Sequence, residues 1–196
     1  MDAIQYVYPV PQTAAGQRAR EILARLNDAP HPCCAEIGVF AADLSLILLA
    51  ARPDLTLLMV DPWETLKVSE DYKASQDFHT NLTVEQQSMY RQISKLKTEF
   101  ARHRRQIEVK HSVDCASEFE DEQFDLVFID GDHSYKGCKE DIEAWWPLVK
   151  KGGWLSGHDY DHPKFPFGVK QAVDEWAEKN GHAVELGENY TWFVKK

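Results

Sequence analysis

No run of about 18 apolar residues occurs anywhere in this 196-residue chain, so no segment is long enough to cross a bilayer as a helix. Cysteine is scarce as well. Cys33, Cys34, Cys115 and Cys138 are the whole set, without Cys-x-x-Cys spacing, which excludes a zinc ribbon or disulfide framework and reads as reduced, packed thiols. No Pro/Gly/Ser-rich linker, repeat or low-complexity tract divides the sequence, so one domain is expected over residues 1–196, with an N-terminal helical segment at 1–30. Positive charge is in deficit: 22 Lys and Arg against 32 Asp and Glu give a net charge of −10. A field of that sign repels a nucleic-acid backbone, and only the cluster Arg102-His103-Arg104-Arg105 runs against it. Met1 to Pro11 has neither the basic start nor the apolar stretch of a signal peptide, so the expected location is cytoplasmic and the sequon Asn81-Leu82-Thr83 carries no meaning.

What is present is an alternation of short apolar runs with helical patterns. Cys33–Val39, Leu55–Val60, Ile107–His111, Phe124–Ile129 and Trp154–Ser156 read as strands, mostly continuous in apolar residues as buried parallel strands are. Thr13–Leu26, Leu44–Ala51, Asp141–Leu148 and Val169–Trp176 read as helices. Met89, Ile93, Leu96 and Phe100 recur at helical spacing and predict the core stripe of a further helix. The last residues pair Ala183–Leu186 with Tyr190–Val194 as a hairpin. The expected fold is therefore α/β: a Rossmann-like doubly wound sandwich with a mostly parallel seven-stranded sheet and an antiparallel C-terminal hairpin. Residues 64–84 are polar, weakly periodic and too long for an ordinary connection, which predicts an inserted lid.

In such sheets ligands bind beyond the carboxyl ends of the strands. Here the strand ends carry chemistry: Asp61-Pro62-Trp63 follows the second, Asp130-Gly131-Asp132-His133 the fourth, and Gly157-His158-Asp159 the fifth. The loop after the first strand, Glu36-Ile37-Gly38-Val39-Phe40-Ala41-Ala42-Asp43, lacks the second and third glycines of G-x-G-x-x-G. A dinucleotide pyrophosphate cannot be wrapped by it, and Asp43 would repel a phosphate. A nucleoside without phosphates remains compatible: Gly38 permits close approach, Glu36 can face a cationic group, and Asp61 can hold ribose hydroxyls. S-adenosylmethionine meets that description.

The ordered set AEIGVFAADLS, LLMVDPWE, FDLVFIDGDHSYKGCKEDIEAWWPLVKKGGWLSGHDY and GVKQAVDEW resembles the class I S-adenosylmethionine-dependent methyltransferases. The similarity is to the small-molecule branch that includes macrolide sugar O-methyltransferases and cephalosporin-hydroxylase-like proteins, and it runs from Cys33 to the C-terminus. By that resemblance, Glu36, Gly38, Val39 and Phe40 form the cofactor loop, Asp61 with Pro62 and Trp63 holds the ribose, Ser112-Val113-Asp114 lines the adenine, and Asp130 also borders the cofactor. Ala42 replaces the family's usual second glycine, at little cost if the position needs no positive φ. The resemblance also implies a divalent metal, magnesium or manganese, on Asp130, His158 and Asp159, with His133 as general base. His158 stands where an acid is usual, so three outcomes stay open: it leaves the metal, it shifts the preference toward manganese, iron or zinc, or no metal binds. Asp132, Tyr135, Tyr160, Asp161 and His162 are candidate neighbours of a small-molecule acceptor. The implied reaction is O-methylation of a small hydroxylated molecule such as a sugar; the rival is a repurposed nucleoside- or metal-binding protein, or a metal-assisted hydrolase without S-adenosylmethionine.

Overall fold

The computed structural model describes residues 9–64, 78–165 and 167–196. The strands are β1 (Cys33–Ile37), β2 (Thr56–Val60), β3 (Arg105–Glu108), β4 (Phe124–Ile129), β5 (Val149–Gly157), β6 (Val184–Leu186) and β7 (Trp192–Lys195). The helices are α1 (Ala14–Arg25), α2 (Asp43–Ala51), α3 (Val84–Lys97), α4 (Ser112–Ala116), α5 (Tyr135–Trp145) and α6 (Val169–Asn180). The strands form one sheet in the order β3-β2-β1-β4-β5-β7-β6. The first five are parallel, and β7 enters antiparallel between β5 and β6, as the predicted sandwich requires.

Both faces of the central strands are covered, which explains their unbroken apolar sequences. Ala35, Ile37, Leu58, Val60, Val127, Ile129 and Leu155 face one core with α4, α5 and α6. Cys34, Leu57, Met59, Leu126 and Phe128 face the other with α1 and α2. All four cysteines are free thiols, and Cys34, Cys115 and Cys138 are buried. Trp145 is fully buried, while Trp146 packs edge-on against Trp176 at 4.8 Å. Trp145 belongs to the core and Trp146 packs against it.

Several boundaries differ from the expected ones. The fourth-strand helix begins at Tyr135, not Asp141, because Ser134 caps it by accepting from Gly137 N at 3.0 Å. Strand β3 lies at Arg105–Glu108, earlier in the chain than expected, paired in register with Leu57–Val60. The predicted core stripe of α3 is turned outward: Met89, Leu96 and Phe100 are exposed, and the buried positions are Ser94, Thr98 and Ala101. The reason is hydrogen bonding. Ser94 Oγ donates to Phe40 O at 2.7 Å and Thr98 Oγ1 to Ser94 O at 2.7 Å, so small hydroxyl residues let the helix lie against the β1 loop. The basic cluster is engaged internally: Arg104 donates to the carbonyls of Leu49, Arg52 and Leu55, and Arg105 to Lys95 and Thr98. Of the expected lid at 64–84, residues 65–77 lie outside the described residues.

The strand ends meet at Gly38. Its φ is +85°, its N–H donates to Val60 O at 2.9 Å, and a Cβ there would stand 2.0 Å from the carbonyl oxygen of Asp130. Only glycine fits. Gly38→Ala should therefore destabilise the protein by about 3 kcal/mol or more, combining a steric conflict with an unfavourable φ. Urea unfolding measures it, and a loss below about 1 kcal/mol would show that the two loops can part.

Candidate active site

A cavity of about 960 Å³ lies at the carboxyl ends of β1, β2, β4 and β5. Of the residues expected at the cofactor, Glu36, Gly38, Val39, Phe40, Asp61, Pro62, Ser112, Val113 and Asp130 line it. Trp63 and Asp114 do not. Trp63 is buried behind the loop, where its indole donates to Phe40 O at 2.9 Å, and Asp114 is exposed on α4.

Asp61 organises the loop around itself. Oδ2 accepts from Val39 N and Phe40 N at 2.9 and 2.8 Å, and Oδ1 from Trp63 N at 2.7 Å. Burial raises its pKa, against those three backbone donors. The turn this produces has Phe40 at φ +49°, Ala42 at φ +57° and Trp63 at φ +43°. Ala42 thus does occupy a left-handed conformation, contrary to the low-cost expectation. The penalty is about 1–2 kcal/mol, offset in part by a fully buried methyl group worth about 0.8 kcal/mol.

At the ends of β4 and β5, four side chains converge. His133 Nε2 lies 3.3 Å from Asp130 Oδ1 and 3.2 Å from Asp159 Oδ2. His158 Nδ1 lies 3.3 and 3.1 Å from the same two oxygens. Both imidazoles therefore bridge both acids. Arg18 of α1, which the sequence reading did not single out, reaches His158 at 3.2 and 3.3 Å and Asp130 Oδ2 at 3.8 Å. Asn189, from the β6–β7 turn, lies 3.2 Å from His158 Nε2. One signal for Arg18 was available: it falls on the helix face of Ala15, Ala19 and Ile22, where a charge needs a buried partner.

The charges sort accordingly. Burial disfavours the Asp130 carboxylate, but the charges of His158 and Arg18 and its imidazole contacts hold its pKa well below the usual range. Burial lowers that of His158, yet Asp130 and Asp159 lift it to about 9. His133 is also raised, because its bond to Asp130 and the Asp159 charge outweigh burial. The other acids of the cavity floor behave oppositely: burial pushes Glu36 up to about 8, despite its hydrogen bond from Ser45, and Asp141 up to about 7.

The fold is that of the class I S-adenosylmethionine-dependent methyltransferases. The sequence profile of a family described as "Methyltransferase domain" matches residues 35–160, and the chain belongs to that family. A search of curated protein sequences matched nothing. Among solved structures, the O-methyltransferase NovP is 15% identical with a TM-score of 0.67, over 91% of this chain and 78% of that one. The calicheamicin methyltransferase CalS11 is 16% identical with a TM-score of 0.66, over 91% and 77%. A protein from Corynebacterium glutamicum is 21% identical with a TM-score of 0.62, over 96% and 82%. These likenesses show the fold.

The raised acids make stability depend on pH. Glu36 ionises near 4.5 when unfolded and about 8 when folded, so between those values the folded state holds a proton that the unfolded state has lost. Stability is then complete below the lower pKa and falls as pH rises, by at most about 1.4 kcal/mol per pH unit for this group. Thermal melts of the free protein should show a midpoint decreasing from pH 5 to 8, less steeply in Glu36→Gln. Equal slopes in the two proteins would mean that Glu36 is already ionised in the fold.

Proposed function

We propose that this methyltransferase moves the methyl group of S-adenosylmethionine to a hydroxyl of a small acceptor, a sugar being the class we favour. One observation carries the reading: a pair of carboxylates bridged by two imidazoles opens on the same cavity as the loop of Gly38 and Asp61. A proton-accepting group therefore stands beside the donor's pocket. The fold neighbours named as O-methyltransferases, one of them described as acting on TDP-rhamnose, agree with a hydroxyl acceptor.

Methyl transfer is an in-line displacement at a sulfonium-bound carbon, so alignment is the main task. Positioning of this kind contributes about 7–11 kcal/mol to lowering a barrier. In our reading Asp61 holds the ribose, Gly38 admits the methionine portion past the β1 turn, and Glu36 faces its ammonium group. His133, whose neutral form the neighbouring Asp130 and Asp159 make less populated, takes the acceptor's proton in that form. Asp130 and Asp159, each 3.2 to 3.3 Å from its Nε2, stabilise the imidazolium that results.

The donor set also fits a divalent cation, held by Asp130, His158 and Asp159 with His133 adjoining; these acids and His133 lie within 4.8 Å of one another. Such an ion would polarise the acceptor hydroxyl. Mixed nitrogen and oxygen donors favour manganese, iron or zinc over magnesium.

His133→Ala should lower turnover by about 100- to 10,000-fold while leaving calorimetric affinity for S-adenosylhomocysteine within a factor of about three. A variant that keeps its rate would remove His133 from the chemistry. Chelation should cut the wild-type rate at least about 10-fold, with manganese restoring it better than magnesium. A full rate in excess chelator would leave the charge on His158 and Arg18 as the polarising agent.

A further inference from the structure

The segment between β5 and α6 is pinned to the reaction centre by its glycine. Gly168 N donates to His133 O at 2.9 Å, and a Cβ at Gly168 would stand 2.1 Å from Tyr135 N, so only glycine lets this segment lie against the start of α5. The residue before it thereby reaches the proposed base: the Phe167 ring centroid is 4.7 Å from that of His133. Phe165 stacks on Phe167 at 5.2 Å and 26°, and His162 on Phe165 at 5.1 Å and 23°. Phe167 rests on the hydrophobic core, yet all three rings are only partly buried and line the cavity. Apolar ring surface is thus left open beside the place where the acceptor's hydroxyl would sit.

The charges of the cavity are set against an anion. Besides the bridged pair Asp130 and Asp159, the carboxyl groups of Asp132 and Glu140 line it. Arg18 is the only arginine or lysine among the described residues of the lining, and it is already shared between His158 and Asp130. The three rings also border an outer groove, but its cations are engaged: Lys170 donates to Asp174 at 2.7 Å and to Tyr160 at 3.1 Å, and Lys164 lies over the Phe165 ring at 5.2 Å. A phosphate entering the cavity would meet carboxyl groups with no uncommitted lysine or arginine among the described residues to pair with it.

We propose that Phe165 and Phe167 determine which acceptor this enzyme takes: they bind an apolar ring of it, and the carboxyl-lined cavity admits that acceptor only uncharged. The assignment rests on His133 as the proton-accepting group under Proposed function. It narrows the hydroxylated acceptor to molecules that carry a ring with an apolar face and no phosphate, which sets sugar phosphates and nucleotide sugars aside. A ring laid against these phenylalanines gains from burial and, if aromatic, from ring–ring attraction as well.

Saturation-transfer NMR on the full chain with S-adenosylhomocysteine bound tests this with phenyl β-D-glucoside, methyl β-D-glucoside and phenyl phosphate. The glucosides differ in the ring alone, and the two phenyl compounds set a neutral group against an anionic one. The wild type should bind phenyl glucoside about 10-fold or more tightly than either of the others, with the strongest saturation on its phenyl protons. Phe165→Ser and Phe167→Leu should each reduce the preference for phenyl over methyl glucoside to less than about threefold, while calorimetric affinity for S-adenosylhomocysteine stays within a factor of about three. Equal or absent binding of the two glucosides by the wild type, an undiminished preference in both variants, or phenyl phosphate bound as tightly as phenyl glucoside would overturn the proposal. Those outcomes leave cofactor binding and the role of His133 standing. Failure of the wild type to bind S-adenosylhomocysteine, or a full rate in His133→Ala, would instead overturn the reading on which the proposal rests. Phe165 lies outside both core clusters, so its variant decides the matter even if Phe167→Leu does not fold.

Discussion

The contact on which the rest depends is the one between the backbone of Gly38 and that of Asp130. Asp130 N donates to Ile37 O at 2.7 Å, and the next residue of β1 turns away without a side chain, against the Asp130 carbonyl. Here β1 has β2 on one side and β4 on the other. The chain leaves the two sides of the sheet in different directions, and the gap between them is the cavity. Three charged groups of the site are placed relative to this fork: Asp61 by the loop it ties together, Asp130 by the strand that abuts Gly38, and His158 by its backbone N–H, which donates to Ile129 O at 3.0 Å.

The site holds opposite charge in near balance instead of excluding it. Two acids share two imidazoles, and Arg18 adds a permanent positive charge at the rim. Buried carboxylates this close repel each other unless a proton or cation lies between them. The histidines supply that neutralisation in the protein alone, which is why the acids can remain ionised in a buried setting. Elsewhere in the cavity burial works the other way, raising the pKa of Glu36 to about 8 and of Asp141 to about 7. One cavity thus has a wall of paired acids and imidazoles and a second wall whose buried acids resist ionisation.

The sheet was legible because parallel strands buried on both faces must be apolar throughout; Phe124–Ile129 and Thr56–Val60 could be read directly. The strand-end acids were legible too, since polarity breaks sharply after such runs. What escaped was tertiary. The outward turn of Met89, Leu96 and Phe100 followed from Ser94 and Thr98 docking on the β1 loop, a partnership that helical periodicity does not encode. The positive φ of Ala42 came from the Asp61-centred turn. Arg18 and Asn189 lie far in sequence from the residues they touch, and Asp141 was hidden in a helix that begins a turn and a half earlier than its apolar pattern suggests.

The embrace of α1 and the β6–β7 hairpin has a consequence for how the molecule forms. Arg18 and His158 are 140 positions apart, and Arg20 meets Glu188 across 168; Arg25 lies over the Phe193 ring at 3.5 Å. Closing loops of that length costs chain entropy that short-range contacts do not incur. Asn189 meets His158 across only 31 positions, whereas His158 receives Arg18 only when α1 has docked. The contact of Arg18 with the His158 cluster thus carries a large loop-closure cost, and a chain in which α1 has not docked lacks that positive charge beside Asp130.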